Sequence, residues 1–585
     1  MIKLIPFIIR NQLKKIDWLA RLYRKFFMKL PIDGGYSEIK TAQDKLLSGI
    51  KLNRLKATFS IVVPIYQPDL TLFKEMVESV LLQRYHHWQL ILVDDASKDQ
   101  ALTDYLSSLM EDKRITVIQR VENGHISQAS NDGLAAATGD YIVLLDHDDL
   151  LHSDALSAMA EAIHNSPDTQ VLYSDEDKIT DKGERVTPHF KPQWNRDLLY
   201  SMNYISHVGV YQRALVESVG GFRVGFEGSQ DYDLLLRCVA KCHDQQIVHV
   251  PYVLYHWRAI QGSTALAESE KSYAEQAGLK ALQNALAGQV VSVEQGKLAN
   301  TYKVNWPITE SQPLVSIIIP TKNAKKLVKQ CIHSLYKKTS YPHFEILLID
   351  NQSDDLASVE YFKALEAEGK IRLISYDKPF NYSAINNFAF TQAKGELLVL
   401  MNNDIEILSE SWLTEMVANM SRPDIGCVGA KLYYPDGKLQ HGGVITGLGG
   451  VAGHSHKYFP KGHPGYFKRL QVVQNLSAVT AACLAVRKEV FEEVGGFNEE
   501  HLTVAFNDVD FCLKVQQAGY RNLWSPYIEM VHHESISRGT EDTPEKQARF
   551  ASEVNYMKKT WGEQLLHDPC YSQWLTLDRE DFTLR

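Results

Sequence analysis

Residues 141–150 read YIVLLDHDDL, and this stretch decides how the rest of the chain is understood. Five apolar residues in a row specify a short buried strand, which ends abruptly in Asp146, His147, Asp148 and Asp149. A strand that delivers carboxylates at its C-terminal end places hard oxygen ligands on the rim of an open α/β sheet, where such folds bind ligands. These oxygens suit a divalent cation that also holds phosphate oxygens. An acidic turn capping the next helix would look the same in isolation. It is not isolated, because residues 397–406 (LLVLMNNDIE) repeat the pattern 256 positions later.

Outward from this stretch, residues 59–65 (FSIVVPI) read as a buried strand and 72–82 as a helix. Residues 90–93 form a second strand ending in Asp94 and Asp95, 115–119 a third, and 126–137 a helix. Strands alternating with helices specify an α/β fold with a mostly parallel sheet covered on both faces. The second half retraces these steps. Pro64 maps to Pro320, Asp94 to Asp350, Ser97 to Ser353, Gly139 to Gly395 and Asp148 to Asp404, all at an offset of 256. Gly220-Gly221-Phe222 then matches Gly495-Gly496-Phe497 at 275, Asp231 matches Asp508 at 277, and His256 matches His532 at 276. An ordered series at near-constant spacing is a duplicated domain, not a short-period solenoid. We divide the chain into a basic N-terminal segment and linker at 1–57, a first domain at 58–300 and a second at 301–585. The jump in offset puts an insertion between Asp404 and Gly495. Residues 440–456 (QHGGVITGLGGVAGHSH) are its natural place, and their composition predicts a flexible loop near a ligand, with His441, His454 and His456 as candidate contacts.

Bulk properties narrow the function classes. With 44% hydrophobic and 23% charged residues the 585-residue chain is globular, and a net charge of −9 argues against nucleic acid as a partner. Seven scattered cysteines complete no zinc site, and a reducing cytoplasm is their expected setting. No run reaches the roughly 18 apolar residues of a membrane span. Residues 1–30, however, carry eight Lys or Arg against one acid, Asp17. Ile5, Ile9, Ile16, Leu19, Tyr23, Phe26 and Phe27 fall largely on one helical face. This pattern predicts an amphipathic helix on the inner, anionic membrane surface, or one packed on the protein or a partner.

Each copy thus supplies four stations in one order: an Asp after the second strand (Asp94 or Asp350), the acidic strand end (Asp146/Asp148 or Asn402/Asp404), a helix-starting acidic pair (Asp231/Asp233 or Asp508/Asp510), and a histidine (His256 or His532). The series VDDAS, LLDHDD, GGF, SQDYD and YHWR, with its second-copy counterparts, resembles the inverting glycosyltransferases of family 2, which have the Rossmann-like GT-A fold. YSDEDK (173–178), FKPQWN (190–195) and HHESISRG (532–539) resemble tandem bacterial enzymes of O-antigen, capsule or related surface polysaccharides. The resemblance implies two tandem GT-A domains, a nucleotide-sugar donor, a glycan or lipid-linked glycan acceptor, and Mn²⁺ or Mg²⁺. It assigns Asp94, with Asp95 beside it, and Asp350 to the nucleotide. It assigns Asp146, Asp148, His256, Asp404 and His532 to the metal, and Asp231 and Asp508 to the catalytic base. Arg258 and Arg538, just past the histidines, are candidate diphosphate contacts. Asn402 departs from the motif, leaving the second copy one carboxylate short. A nucleotidyltransferase would need a glycine-rich phosphate loop after the first strand, and IVVPIYQP has no glycine.

Overall fold

The computed structural model describes residues 35–258, 268–533 and 543–585, so the predicted helix over residues 1–30 lies outside the described residues. In the first half the strands are Phe59–Ile65 (β1), Trp88–Asp94 (β2), Ile115–Gln119 (β3), Tyr141–Leu144 (β4), Leu150–Leu151 (β5), Val171–Ile179 (β6), Arg185–His189 (β7), Gly209–Gln212 (β8) and Ile247–Arg258 (β9). They form one sheet in the order β3-β2-β1-β4-β8-β6-β9-β5, with β7 on β6. The strands β3, β2, β1 and β4 run parallel, as do β6 and β9, while β8 and β5 are antiparallel to their neighbours. A hairpin of Ser292–Gln295 (β10) and Tyr302–Asn305 (β11) leads to the second half.

The second sheet repeats this order with Val315–Thr321 (β12), Phe344–Asp350 (β13), Arg372–Ser375 (β14), Leu397–Met401 (β15), Ile405–Ile407 (β16) and Ile425–Tyr433 (β17). Leu439–His441 (β18) pairs β17, and Val444–Thr446 (β19) with Ala452–His454 (β20) makes a separate hairpin. Gln474–Asn475 (β21), Cys483–Arg487 (β22) and Arg521–His532 (β23) complete the set, in the order β14-β13-β12-β15-β22-β17-β23-β16. Two α/β domains stand in tandem, as the duplicated sequence predicts.

The leading strands are buried on both faces, with Ile61, Val62 and Val63 at most 1% exposed and Ile317, Ile318 and Ile319 at 0%. Full burial of each such side chain stabilises the fold by roughly 1.5–3 kcal/mol. The repeated glycines have a steric cause. A Cβ on Gly139 would lie 2.6 Å from the Phe59 carbonyl carbon, and one on Gly395 would lie 2.6 Å from Leu314 O. Any side chain there would push β4 off β1 or β15 off β12. The GGF turns are likewise locked alike: Asn131 and Phe222 exchange hydrogen bonds at 2.9 and 2.8 Å, and Asn387 and Phe497 at 2.9 and 2.9 Å.

Three expectations change, and FKPQWN finds its place. The polar linker before residue 57 contains a helix, Tyr36–Ser48, which buries Tyr36, Ile39, Gln43 and Leu47. These lie three to four apart, a stripe hidden in sequence by its glutamine. Gln43 Oε1 accepts from Val253 N at 3.1 Å, and Tyr36 donates to Asp177. The division at 300/301 falls inside the β10–β11 hairpin, and Tyr302 packs in the first domain's core with Tyr232 and Val293. The run 440–456 is not a loose loop, because β18, β19 and β20 lie within or across it and Val444, Ile445 and Leu448 are buried. The stretch FKPQWN faces the second domain: Phe190 shares a core cluster with Tyr433, Leu470 and Phe582, and Gln193 N donates to Pro569 O at 2.8 Å.

Candidate active site

The acidic strand end of the first domain is a turn braced from behind. Asp149 is buried and accepts from Tyr255 Oη at 2.5 Å and from Arg258 N at 2.7 Å. Arg258, expected to meet a diphosphate, is itself buried: Nε donates to Asp148 O at 2.8 Å and Nη2 to Glu75 Oε2 at 2.7 Å. It is a strut for the turn. Arg538 lies outside the described residues. The turn leaves Asp146 partly exposed, with 44% of its side chain accessible. Burial pushes the Asp149 carboxyl well above the usual carboxylate range, and the charges of Asp146 and Asp148 push it further. Asp148 is raised too, first by burial. Carboxyls that raise one another are a donor set short of positive charge.

The histidine beside this turn is not the one expected. His256 turns away and meets Asp177 through Nδ1 at 2.7 Å, on a carboxylate that Arg185 Nε also reaches at 2.7 Å. Burial pulls the His256 ring below its ordinary pKa, with Asp177 opposing. His207 takes its place, with Nε2 4.0 Å from Asp146 Oδ2 and its ring stacked on Tyr255 at 4.6 Å. Ligand atoms of Asp146, Asp149 and His207 all lie within 4.8 Å of one another, a grouping that includes neither Asp148 nor His256.

In the second domain His532 does face the acidic strand end. Its Nε2 is 3.2 Å from Asp404 Oδ1 and 3.2 Å from Asn402 Nδ2. Its Nδ1 lies 2.7 Å from Gln440 Oε1. Donation to Gln440 fixes the tautomer and leaves the Nε2 lone pair aimed at Asn402 and Asp404, as a metal ligand requires. Gln440 and His441 come from the inserted segment. His441 Nδ1 is 2.8 Å from His454 Nδ1, and burial, followed by the charges of His454 and His532, holds His441 well below its usual range. His456 instead stacks on Phe582 at 4.3 Å and accepts from Tyr466 N at 3.0 Å.

Strand register explains the difference. Leu150 sits opposite His256, and Ile405 opposite His532. Leu150 corresponds to Glu406 in the repeat, and Glu406 sits opposite Val531. His256 therefore corresponds to Val531, and Trp257 to His532. The β6–β9 and β17–β23 pairings agree, setting Asp177 opposite His256 and Tyr433 opposite Val531. One step along a strand reverses the face. On the other wall, Gln212 opposes Tyr141 and Arg487 opposes Leu397, which sets His207 level with Ala482.

The two base candidates begin the helices Gln230–Val239 and Asn507–Gln517. Asp231 Oδ2 accepts from Asn203 Nδ2 at 3.0 Å. Burial raises its carboxyl, with His207 opposing and Asp146 adding, so the three groups share one electrostatic neighbourhood. Asp508 Oδ2 accepts from Ala481 N at 3.1 Å, and burial raises it also. Ala482 O in turn accepts from Asn402 N at 3.0 Å, which ties base and acidic strand end to β22. Asp233 is bound by Arg223 and Arg237, and Asp510 accepts from Trp561 Nε1 at 2.9 Å; both are structural.

Asp94 and Asp350 end β2 and β13 at matched registers, opposite Ile65 and Thr321. Each accepts from the serine three residues on, Ser97 N or Ser353 N, at 3.1 Å. Asp95, grouped with Asp94 from sequence, is committed elsewhere: Arg120 Nε reaches it at 2.9 Å and Gly124 N at 2.8 Å.

Comparison with known proteins decides the family. A family model described as "Glycosyl transferase family 2" matches residues 60–220 and 316–495, once per domain. The chain belongs to glycosyl transferase family 2. Among relatives of this chain, the Sinorhizobium fredii protein y4gI is 51% identical over 530 residues, covering 90% of this chain and 58% of that one. The Myxococcus xanthus "O-antigen biosynthesis protein RfbC" is 38% identical over 532 residues, covering 90% and 41%. The chain thus spans about half the length of these relatives. Among solved structures, the Pyrobaculum calidifontis mannosyltransferase PcManGT, in complex with GDP-Man and Mn²⁺, is 18% identical with a TM-score of 0.32, covering 43% of this chain and 67% of that one. Seven cysteines are free and buried, and no helix among the described residues is long and apolar enough to cross a membrane.

Proposed function

We propose that the protein is a bifunctional glycosyltransferase. Its two domains, each with its own site, transfer sugars from nucleotide donors to a growing, lipid-linked bacterial surface polysaccharide. The observation that carries this reading is the double occurrence of one arrangement: an acidic strand end with a histidine against it, and a half-buried carboxylate at a helix start nearby. Its appearance in both domains favours two working sites. The glycan acceptor follows the printed function of the Myxococcus relative. The basic, apolar-striped segment 1–30 supports attachment to the inner membrane surface.

The donor sets fit a divalent cation. Asp146, Asp149 and His207, with Asp148 alongside, would hold Mn²⁺ or Mg²⁺ in the first site. Asp404, Asn402 and His532 would hold it in the second. Such an ion, when bound, neutralises charge developing on a leaving diphosphate. The residues of the chain do the rest. Asp94 and Asp350 accept hydrogen bonds from the base or ribose. Asp231 and Asp508 take the proton of the acceptor hydroxyl as its oxygen bonds the anomeric carbon and the bond to the diphosphate oxygen breaks. Displacement from the opposite face inverts that carbon. Burial, which raises both carboxyls, makes them stronger bases than exposed aspartates.

The test is nucleotide release by the full chain across a panel of nucleotide sugars with a lipid-linked glycan acceptor, before and after exhaustive chelation. We expect release with at least one donor, loss on chelation and recovery with Mn²⁺ or Mg²⁺. Undiminished turnover without metal would contradict the metal assignment, and silence with every donor would contradict the activity.

A further inference from the structure

The segment 190–207, which links β7 to β8, makes two kinds of contact. One part of it is fastened to the second domain. Asn195 Nδ2 donates to Asn475 O at 2.8 Å, and Asn475 N donates back to Asn195 Oδ1 at 3.0 Å. Asp197, only 3% exposed, accepts from Arg422 Nη1 at 2.6 Å, from Asn475 Nδ2 at 2.8 Å and from Arg521 Nη1. The later part reaches the first domain's site, with Asn203 on Asp231 and His207 beside Asp146.

Lys191 ties these parts together. It has no exposure, and its Nζ donates to Ile205 O at 2.5 Å, to His207 O at 2.6 Å and to Glu176 Oε2 at 3.2 Å. Glu176 Oε2 also accepts from His207 N at 3.0 Å. Both peptide groups of His207 are thereby fixed by one buried ion pair. Burial disfavours both charges, but Lys191, together with His189 and His207, overcomes it and holds the Glu176 carboxyl at about 2. An apolar pair of similar volume would serve stability as well. What this pair adds is a fixed position for His207.

We propose that the second domain is a positioning element of the first domain's site, acting through Asp197 and Lys191 on Asn203 and His207. Separately from any transfer of its own, the second domain holds the segment that presents these side chains. The inference rests on the assignment of Asp146, His207 and Asp231 to that site.

The experiment uses the full chain carrying Asp404→Ala, which leaves one Mn²⁺ station to read by electron paramagnetic resonance. Asp197→Asn with Arg422→Met removes the interdomain pair without stranding a charge, because Arg521 keeps Asp424. We expect Mn²⁺ affinity to weaken by roughly 10–100-fold, the usual effect of disturbing groups that orient metal ligands. The first site's kcat should fall with donor KM little changed. In the chain with Asp404 restored, the Asp508-dependent transfer should be unaffected. Lys191→Met with Glu176→Gln should reproduce this pattern. Should these variants fail to fold, Asn475→Ala, which changes no charge, is read in the same way. A lowered Tm with unchanged Mn²⁺ affinity and unchanged first-site kcat would reduce these contacts to an interface and overturn the proposal. A wild-type chain that neither binds Mn²⁺ nor transfers sugar would instead overturn the function on which it rests.

Discussion

The two domains build the same acidic strand end but bring a histidine to it from opposite walls. In the first, His207 arrives from the segment before β8, and the β9 position level with His532 is Trp257. In the second, His532 arrives from β23, and the β22 side offers Ala482. His207 has no counterpart in the second domain and His532 none in the first. On the proposed assignment, duplication kept a histidine at the station while the residue supplying it moved. A site can keep its donor set when its backbone register does not keep its residues.

The largest expected effect is at the two proposed bases. Asp231→Asn should abolish one transfer and leave the other, with Asp508→Asn doing the reverse. Product analysis with both variants should show losses of roughly 10²–10⁴ in each affected step, as removal of a general base causes. If Asp508→Asn changes no product, the second domain is a binding module and the two regions are not functional equals.

Next in size is the histidine itself. His207→Ala should weaken Mn²⁺ binding in the first domain by at least the roughly 10–100-fold that outer-shell changes cost. His256→Ala should leave Mn²⁺ affinity nearly unchanged and lower Tm, since it strips a buried partner from Asp177. Calorimetric titration with Mn²⁺ and a thermal melt of each variant read the two effects. The opposite pattern would restore His256 to the site.

Much of this was legible in sequence, and the residues that were not share a cause. The strands β1 to β4 and β12 to β15 announce themselves as apolar runs, and Asp148, Asp231, Asp404 and Asp508 by repetition, with Asp146 marked by its place beside Asp148. His207 has no repeated counterpart, since Ala482 stands in its place, and nothing local in NYISHVGV marks it. His256 misled because a one-residue register step is invisible to motif spacing but reverses the side chain. Arg258 and Asp95 look like free charges in sequence, yet the fold commits them to Asp148 and Arg120. FKPQWN gives no sign in sequence of its place, which is the interface with the second domain.

A smaller effect concerns pH. Burial raises the Asp508 carboxyl, and hydrogen bonds from Ala481, Thr480 and Val509 only partly offset it. A carboxylate acting as the proposed base must be ionised, so the second site's rate should rise with pH through a value above the ordinary carboxylate range. A kcat/KM profile under conditions specific to that site checks this. An acid limb at or below the value of an exposed aspartate would remove burial as the tuning cause.

Smallest is the expected effect of Asn402→Asp, which restores the missing carboxylate. It should lower the metal concentration for half-maximal rate in the second site by several-fold and bring the two sites closer together. Equal requirements before and after would mean that His532 and Asp404 alone set the affinity.

The most direct measurement is a crystal structure of the full chain with Mn²⁺ and the diphosphate product, with the ions located by anomalous scattering. Two peaks are expected. The first should lie against Asp146 with His207 as its histidine and His256 still on Asp177, and the second between Asp404 and His532. A first ion bound by His256, or no ion in the second domain, would contradict it.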